Sequence, residues 1–260
     1  MSTPLVTIIT ATYNRAKMFS ECAEAVLAQT FADWQWWVAL NFDVGDRLSV
    51  LDYQMATAAW KDYRVLPIYF PCNKEARAAY HVPAQIVNWL YPKVTTPYIY
   101  WLSDDDLIDP DGLGLLVSAA QPIVRAMTRD ELGPFGGSGM TLEKDRYDAV
   151  YGRCEVVDQR PDGTYAHGSW CYDDGDVGLG TGIDPHCRLD GGQVLHTADL
   201  WRRATADGWQ LTDSKADAAA NDGTLLRRLA EFARFHYVPA RIVTHRRHAG
   251  ATYHKPQVNP

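Results

Sequence analysis

The sequence predicts an α/β protein with a mostly parallel sheet flanked by helices. Two observations predict it. Short β-branched runs alternate with stretches of helical period along residues 1–129, the signature of βαβ units. Three of those runs end in polar or acidic loops, at the edge where open α/β sheets bind ligands.

The elements follow in order. "LVTIITATYN" is β-branched and ends in polar residues, so it reads as a buried strand entering a loop. "RAKMFSECAEAVLAQTF" sets Met18, Cys22, Ala25 and Val26 at helical spacing. "DWQWWVALNF" reads as a second strand, "RLSVLDYQMATAAWK" as a helix and "YRVLPIYF" as a third strand. "HVPAQIVNWLYPKV" is a helix interrupted near Pro92, "PYIYWLSDDD" a fourth strand and "PDGLGLLVSAAQPIVRAM" the helix after it. The alternation then breaks. Residues 130–147, rich in Gly, Asp, Glu and Lys, read as a mobile connection. "DAVYGRCEVVD" is a strand, and "DGTY" a turn that allows a hairpin return. Residues 171–192 carry many glycines and aspartates without period and read as a long loop. "QVLHTADLWRRATADGW" is a short strand feeding a helix, "NDGTLLRRLAEFARF" an amphipathic helix and "HYVPARIVTHRRH" a final strand with a basic end. One domain over 1–260 is expected, with a regular half (1–129) and a more irregular half with its tail (130–260).

Composition narrows the class. At 260 residues, with 47% hydrophobic and 22% charged residues, the chain can bury a sizeable core without staples. A net charge of −7 argues against generic binding to nucleic acid or anionic membrane. No apolar run approaches the roughly 18 residues of a membrane span. The start "MSTPLVTIIT" has no basic region before its apolar stretch, unlike a secretory signal. Cys22, Cys72, Cys154, Cys171 and Cys187 are odd in number and widely spaced, which fits a reduced, cytoplasmic protein.

The chemistry concentrates at strand ends: "TATYNR" after the first, "LNFDVGD" after the second and "SDDD" after the fourth. Adjacent carboxylates resist ionising together, so Asp104, Asp105 and Asp106 call for solvent or a cation. An oxygen-only cluster of this kind suits Mg²⁺ or Mn²⁺. The plainer reading, in which one of the three caps the next helix, competes with Pro110 and Asp111, which are better placed to begin it.

These stretches carry a resemblance. "PLVTIITATYNR", "LAQTFADWQWWV" and "YIYWLSDDDLIDPDGL", followed by "GGQVLHTADLWRRA", "NDGTLLRRLAE" and "VTHRRHAGAT", resemble in order the signatures of the family 2 nucleotide-sugar glycosyltransferases of the GT-A (Rossmann-like) fold. The likeness runs to about Thr252. It implies a metal-dependent, inverting transfer of a sugar from a nucleoside diphosphate, UDP or dTDP, to a hydroxyl of a small molecule or glycan. Mn²⁺ or Mg²⁺ is the implied cofactor.

The resemblance also implies roles. Asp222 takes the position of the general base, although "NDG" is equally a natural N-cap. Asp105, Asp106 and His248 are the implied metal ligands, with Ser103 standing where the family has its first acid. Thr10, Thr12, Tyr13, Arg15, Asp104, Arg246 and His248 are expected around the nucleotide sugar. Asn41 or Asp43 stands where the family has the aspartate that accepts the base N–H, which leaves guanosine open as well. Asp184, His186 and Asp190 are expected to face the acceptor. Three other readings stay in view: a nucleotidyltransferase acting on a sugar phosphate, a nucleotide-sugar-binding protein without catalysis, and glycosylation of a modified nucleic-acid base. "TATYNR" lacks the glycines of a nucleotidyltransferase phosphate loop. Oligomeric state is open, a homodimer included.

Overall fold

A computed structural model describes residues 3–43, 58–121, 124–126, 140–142, 147–171, 175–186, 188–214 and 221–248. The regular half holds β1 (Val6–Thr12), α1 (Ala16–Leu27), β2 (Trp34–Asp43), β3 (Val65–Cys72), α2 (Lys74–Ala79), α3 (Val82–Leu90) and β4 (Tyr98–Trp101). Then come β5 (Leu107–Ile108), α4 (Gly112–Ala120), β6 (Val124–Ala126) and β7 (Met140–Leu142). The second half holds β8 (Ala149–Gln159), β9 (Tyr165–Trp170), β10 (Val177–Gly178), β11 (Val194–Thr197), α5 (Ala198–Ala204), α6 (Asn221–Ala230) and β12 (Arg234–Arg247). None of the described helices is long and apolar enough to cross a membrane.

The main sheet runs β10-β12-β8-β11-β4-β1-β2-β3. Pairing is parallel from β3 to β4 and again between β8 and β12, so the sheet is mostly parallel along this path. β11 lies antiparallel between β4 and β8 and joins the two halves into one sheet.

Strand β1 is buried along nearly its whole length because helices cover both faces. Alternation assigns its side chains: Val6 and Ile8 enter one core with Phe19, Trp36 and Tyr100, while Ile9 enters the other with Ile99, Leu90 and Trp201. Each such aliphatic side chain contributes about 1.5–3 kcal/mol by leaving water. Helix α1 buries Phe19, Cys22, Ala23 and Val26, a single stripe at helical spacing. Asn14 makes the turn from β1 into α1 with φ of 52°, a backbone region that asparagine tolerates better than most side chains.

Two expectations change here. The helix expected over residues 110–127 stops at Ala120, and Gln121 is extended. Pro122 follows, and a proline pushes the residue before it out of the helical region. Val124–Ala126 is instead a strand pairing with Met140–Leu142, inside the stretch read as a mobile connection. The helix expected over residues 47–61 lies largely outside the described residues; its end, Ala58–Lys61, is a 3₁₀ turn.

β12 decides where the C-terminal basic residues end up. It runs parallel to β8 with irregular register between Val238 and Arg241 and between Arg241 and Val243. Pro239, which has no N–H to donate, sits within that irregular stretch. Beyond it β12 pairs with β5, directly after the three aspartates. The close approach needs Gly152: a Cβ there would lie 2.2 Å from Ile242 Cγ1 and 2.8 Å from the Ala240 carbonyl. Gly152→Ala is therefore expected to lower stability by about 1–3 kcal/mol through overpacking. Urea unfolding checks this, and an unchanged midpoint contradicts the packing described.

Candidate active site

Strand β4 ends where Leu102 N donates to the Ile9 carbonyl, and the chain then turns, with Asp106 N bonded to Ser103 O at 3.2 Å. In this turn three successive carboxylates fan out to different partners. Asp104 accepts from Thr12 Oγ1 (2.7 Å) and Arg15 Nη1 (3.0 Å). Asp105 meets the same Arg15 nitrogen at 2.6 Å and His248 Nε2 at 3.0 Å. Asp106 lies 3.0 Å from His245 Nδ1 and accepts from Arg246 N at 3.3 Å.

All three are buried, and burial acts on the charge of Asp104 and Asp106. Burial, then the neighbouring Asp105, pushes the Asp104 carboxyl up to about 6, against Arg15 and Thr12. Burial pushes Asp106 up to about 7 against the pull of His245, with Asp190 and Asp105 adding to the rise. For His245, burial opposes the charged ring, but Asp106 and Asp190 outweigh it and hold the pKa up at about 11.

The end of β12 clamps this loop. Arg246 Nε donates to the Asp105 carbonyl, Nη1 pairs with Glu21, and Nη2 reaches the Met18 carbonyl at 3.4 Å. The guanidinium expected near phosphate is thus bonded to α1 and the acidic loop.

Among the described residues, one group of three metal-ligating side chains has ligand atoms within 4.8 Å of one another: Asp106, Asp190 and His245. The expected set Asp105, Asp106 and His248 is divided. Asp105 faces Arg15 and His248, whereas its neighbour Asp106 turns to His245 and Asp190, with Asp190 Oδ2 at 3.6 Å from His245 Nδ1. Asp106 Oδ2 is fully buried and has no partner among the described residues. Two carboxylates and an imidazole fit Mn²⁺ better than Mg²⁺, which favours an all-oxygen shell.

Asp190 is held by a capping box. It accepts from Gly192 N at 2.8 Å, and Gln193 Oε1 accepts from Asp190 N at 2.7 Å. The Tyr100 hydroxyl, from β4, donates to the Gly192 carbonyl and fixes this turn to the sheet. Gly191 leaves the space that Trp101 and Asp222 flank: a Cβ there would lie 3.2 Å from Trp101 Cδ1 and 3.6 Å from Asp222 Oδ2. Asp222, in the first turn of α6, is half-buried beside a small cavity lined partly by Leu225, Leu226 and Leu229. Burial, then Asp190 and Asp106, raises its carboxyl to about 7, with His245 pulling the other way.

The other expected residues scatter more. Thr10 is fully buried, its hydroxyl accepting from Trp36 Nε1 at 3.0 Å, so it supports the strand from behind. Tyr13 is exposed at the mouth, with the Arg77 guanidinium 3.5 Å from its ring centroid. The sequence reading passed over Arg77. Its signal was faint: Asn73 caps the short helix α2 that carries it, accepting from Ala76 N at 2.7 Å. Asn41 is buried, and its Oδ1 has no partner among the described residues. Asp43 ends β2, and its side chain lies outside the described residues. Asp184 pairs with Arg227 at the surface and accepts from His186 N at 2.8 Å, so of the three expected acceptor residues only Asp190 joins the acidic group.

Comparison with known proteins bears on the fold. Residues 7–124 match the model of Glycosyl transferase family 2. No curated protein matches the chain. Among solved structures, the chain is similar to S. aureus TarS 1–349 in complex with UDP-GlcNAc: TM-score 0.62, 12% identity, covering 95% of this chain and 60% of that one. The same TarS fragment with UDP gives 0.60 at 12% identity, over 93% and 60%. The mannosyltransferase PcManGT from Pyrobaculum calidifontis, in complex with GDP-Man and Mn²⁺, gives 0.51 at 14% identity, over 94% and 57%. The chain thus spans about 60% of the TarS fragment, and at these identities the likeness is one of fold. Residues 7–124 are thus similar to glycosyl transferase family 2, and the chain has a GT-A fold that continues through its second half.

Proposed function

We propose that this protein is a metal-dependent, inverting glycosyltransferase. It moves a sugar from a nucleoside diphosphate, with uridine or thymidine as the base, to a hydroxyl of a small molecule or glycan. The observation that carries this reading is Asp222. A carboxylate from a distant helix stands across Gly191 and Gly192 from the acidic loop at the carboxyl edge of the parallel strands, with a pKa near neutrality.

The residues divide the work. Tyr13 and Arg77 offer a face for the base, and the buried Asn41 Oδ1 offers an acceptor for its N–H. Thr12, Arg15, Asp104, Asp105 and His248 line the approach to the diphosphate. We assign the cation to Asp106, Asp190 and His245, because the buried oxygen of Asp106 is left without a described partner there. A divalent ion bound to that group supplies charge neutralisation for the leaving diphosphate. Asp222 accepts the proton of the acceptor hydroxyl as its oxygen bonds to the anomeric carbon and the bond from that carbon to the diphosphate breaks. Trp101, beside Asp222, presents an aromatic ring on which a sugar acceptor can stack.

Five outcomes test this. Incubation with UDP-, dTDP- and GDP-sugars, Mn²⁺ and a panel of acceptors is expected to release nucleoside diphosphate for one base class. In Asp222→Asn that transfer is expected to fall by about 10²–10⁴-fold while donor binding persists; wild-type rates in the variant exclude Asp222 as the base. Transfer is also expected to rise with pH through about 7, as Asp222 loses its proton. Stability should show the opposite sign. A carboxyl raised from 3.8 to about 7 stabilises the fold at low pH and loses that contribution as pH climbs through 7. Asp222→Asn should therefore gain stability relative to wild type between about pH 4 and pH 7 in metal-free urea titrations, with no further gain above that. Gly191→Ala, which intrudes between Trp101 and Asp222, is expected to raise the acceptor KM with donor binding unchanged; weakened donor binding would contradict this.

A further inference from the structure

His196 lies on β11, between the two halves of the sheet, and is almost fully buried. Its Nδ1 is 3.0 Å from the Thr197 carbonyl. A carbonyl oxygen only accepts, so Nδ1 carries the hydrogen and Nε2 is a bare acceptor. Nε2 is buried and has no partner among the described residues. Burial also lowers the pKa of this ring to about 4, which keeps it neutral at ordinary pH. An acceptor buried in this way calls for a donor.

The donor has a place to sit. His196 and Asp222 line the same small cavity of about 20 Å³, whose remaining wall includes Leu225, Leu226 and Leu229. That volume exceeds the ~10–15 Å³ a single water requires. The imidazole of His196 and the carboxylate of Asp222 are both in its lining, so a water there has both within the same cavity. We infer that a single buried water bridges His196 Nε2 and the Asp222 carboxylate, making His196 a positioning residue for the base. The water donates one hydrogen to Nε2 and the other to a carboxylate oxygen of Asp222. This orients the carboxylate and leaves its second oxygen for the acceptor hydroxyl.

The inference rests on reading Asp222 as the base, and its test separates the two. His196→Leu removes the acceptor, and His196→Gln supplies another in its side-chain carbonyl. The Leu variant is expected to lose about tenfold in kcat, the worth of one hydrogen bond to a charged group, with donor KM unchanged. The acid limb of its pH profile should shift from the wild-type position. The Gln variant should recover most of kcat and return that limb. A Leu variant with wild-type kcat and pH profile overturns the bridge, as do Leu and Gln variants whose kcat falls only in step with thermal stability. If Asp222→Asn keeps full transfer, the base assignment fails and the bridge fails with it. If Asp222→Asn is inactive while His196→Leu is unaffected, only the bridge fails. Should the His196 variants not fold, ¹⁵N spectra of the His196 ring supply the test. The Nε2 signal should sit in the hydrogen-bonded range in wild type and move in Asp222→Asn; a bare Nε2 signal, indifferent to that substitution, overturns the inference.

Discussion

Three carboxylates held out of water at the end of β4 set the terms for the residues around them. Buried negative charge is stable only where cations or donors are fixed in place. Here they come from two remote segments: Thr12 and Arg15 at the end of β1, and His245, Arg246 and His248 at the end of β12. The acidic loop is therefore where the N-terminal strands and the C-terminal strand are tied together. The balance is incomplete, since a buried oxygen of Asp106 is left over. That remainder is the reason for the proposed cation site.

The second half of the chain brings the complementary chemistry. The turn at Gly191–Gln193 holds Asp190 beside His245 and lets Asp222 approach Trp101. Burial first, and then repulsion from Asp190 and Asp106, keeps the Asp222 carboxyl near neutrality. A carboxylate with ordinary affinity for protons would be a weaker base at neutral pH. The arrangement that makes the acidic loop costly to fold is thus the same one that raises the carboxyl of Asp222, the proposed base, opposite it.

Much of this was legible in the residues. β-branched runs and helical stripes located β1 to β4, α1 and α3, because these elements follow local periodicity. Alternation could not tell that Thr10 faces Trp36, since β1 is buried on both faces and its inner and outer positions look alike. The triple aspartate stood out as a candidate site, but its partners did not. Two register irregularities in β12 decide that His245 meets Asp106 and His248 meets Asp105, and no count of residues along a strand anticipates them. Arg77 was missed because its role depends on stacking between a six-residue helix and a loop far away in sequence.

The central claim is that the Asp106 group is a cation site completed by a diphosphate. Mn²⁺ binding followed by electron paramagnetic resonance, with and without UDP, tests it most directly. The account predicts weak binding to the protein alone, marked tightening when UDP is present, and loss of both in Asp106→Asn. Mn²⁺ affinity that ignores UDP, or that survives Asp106→Asn unchanged, would contradict it.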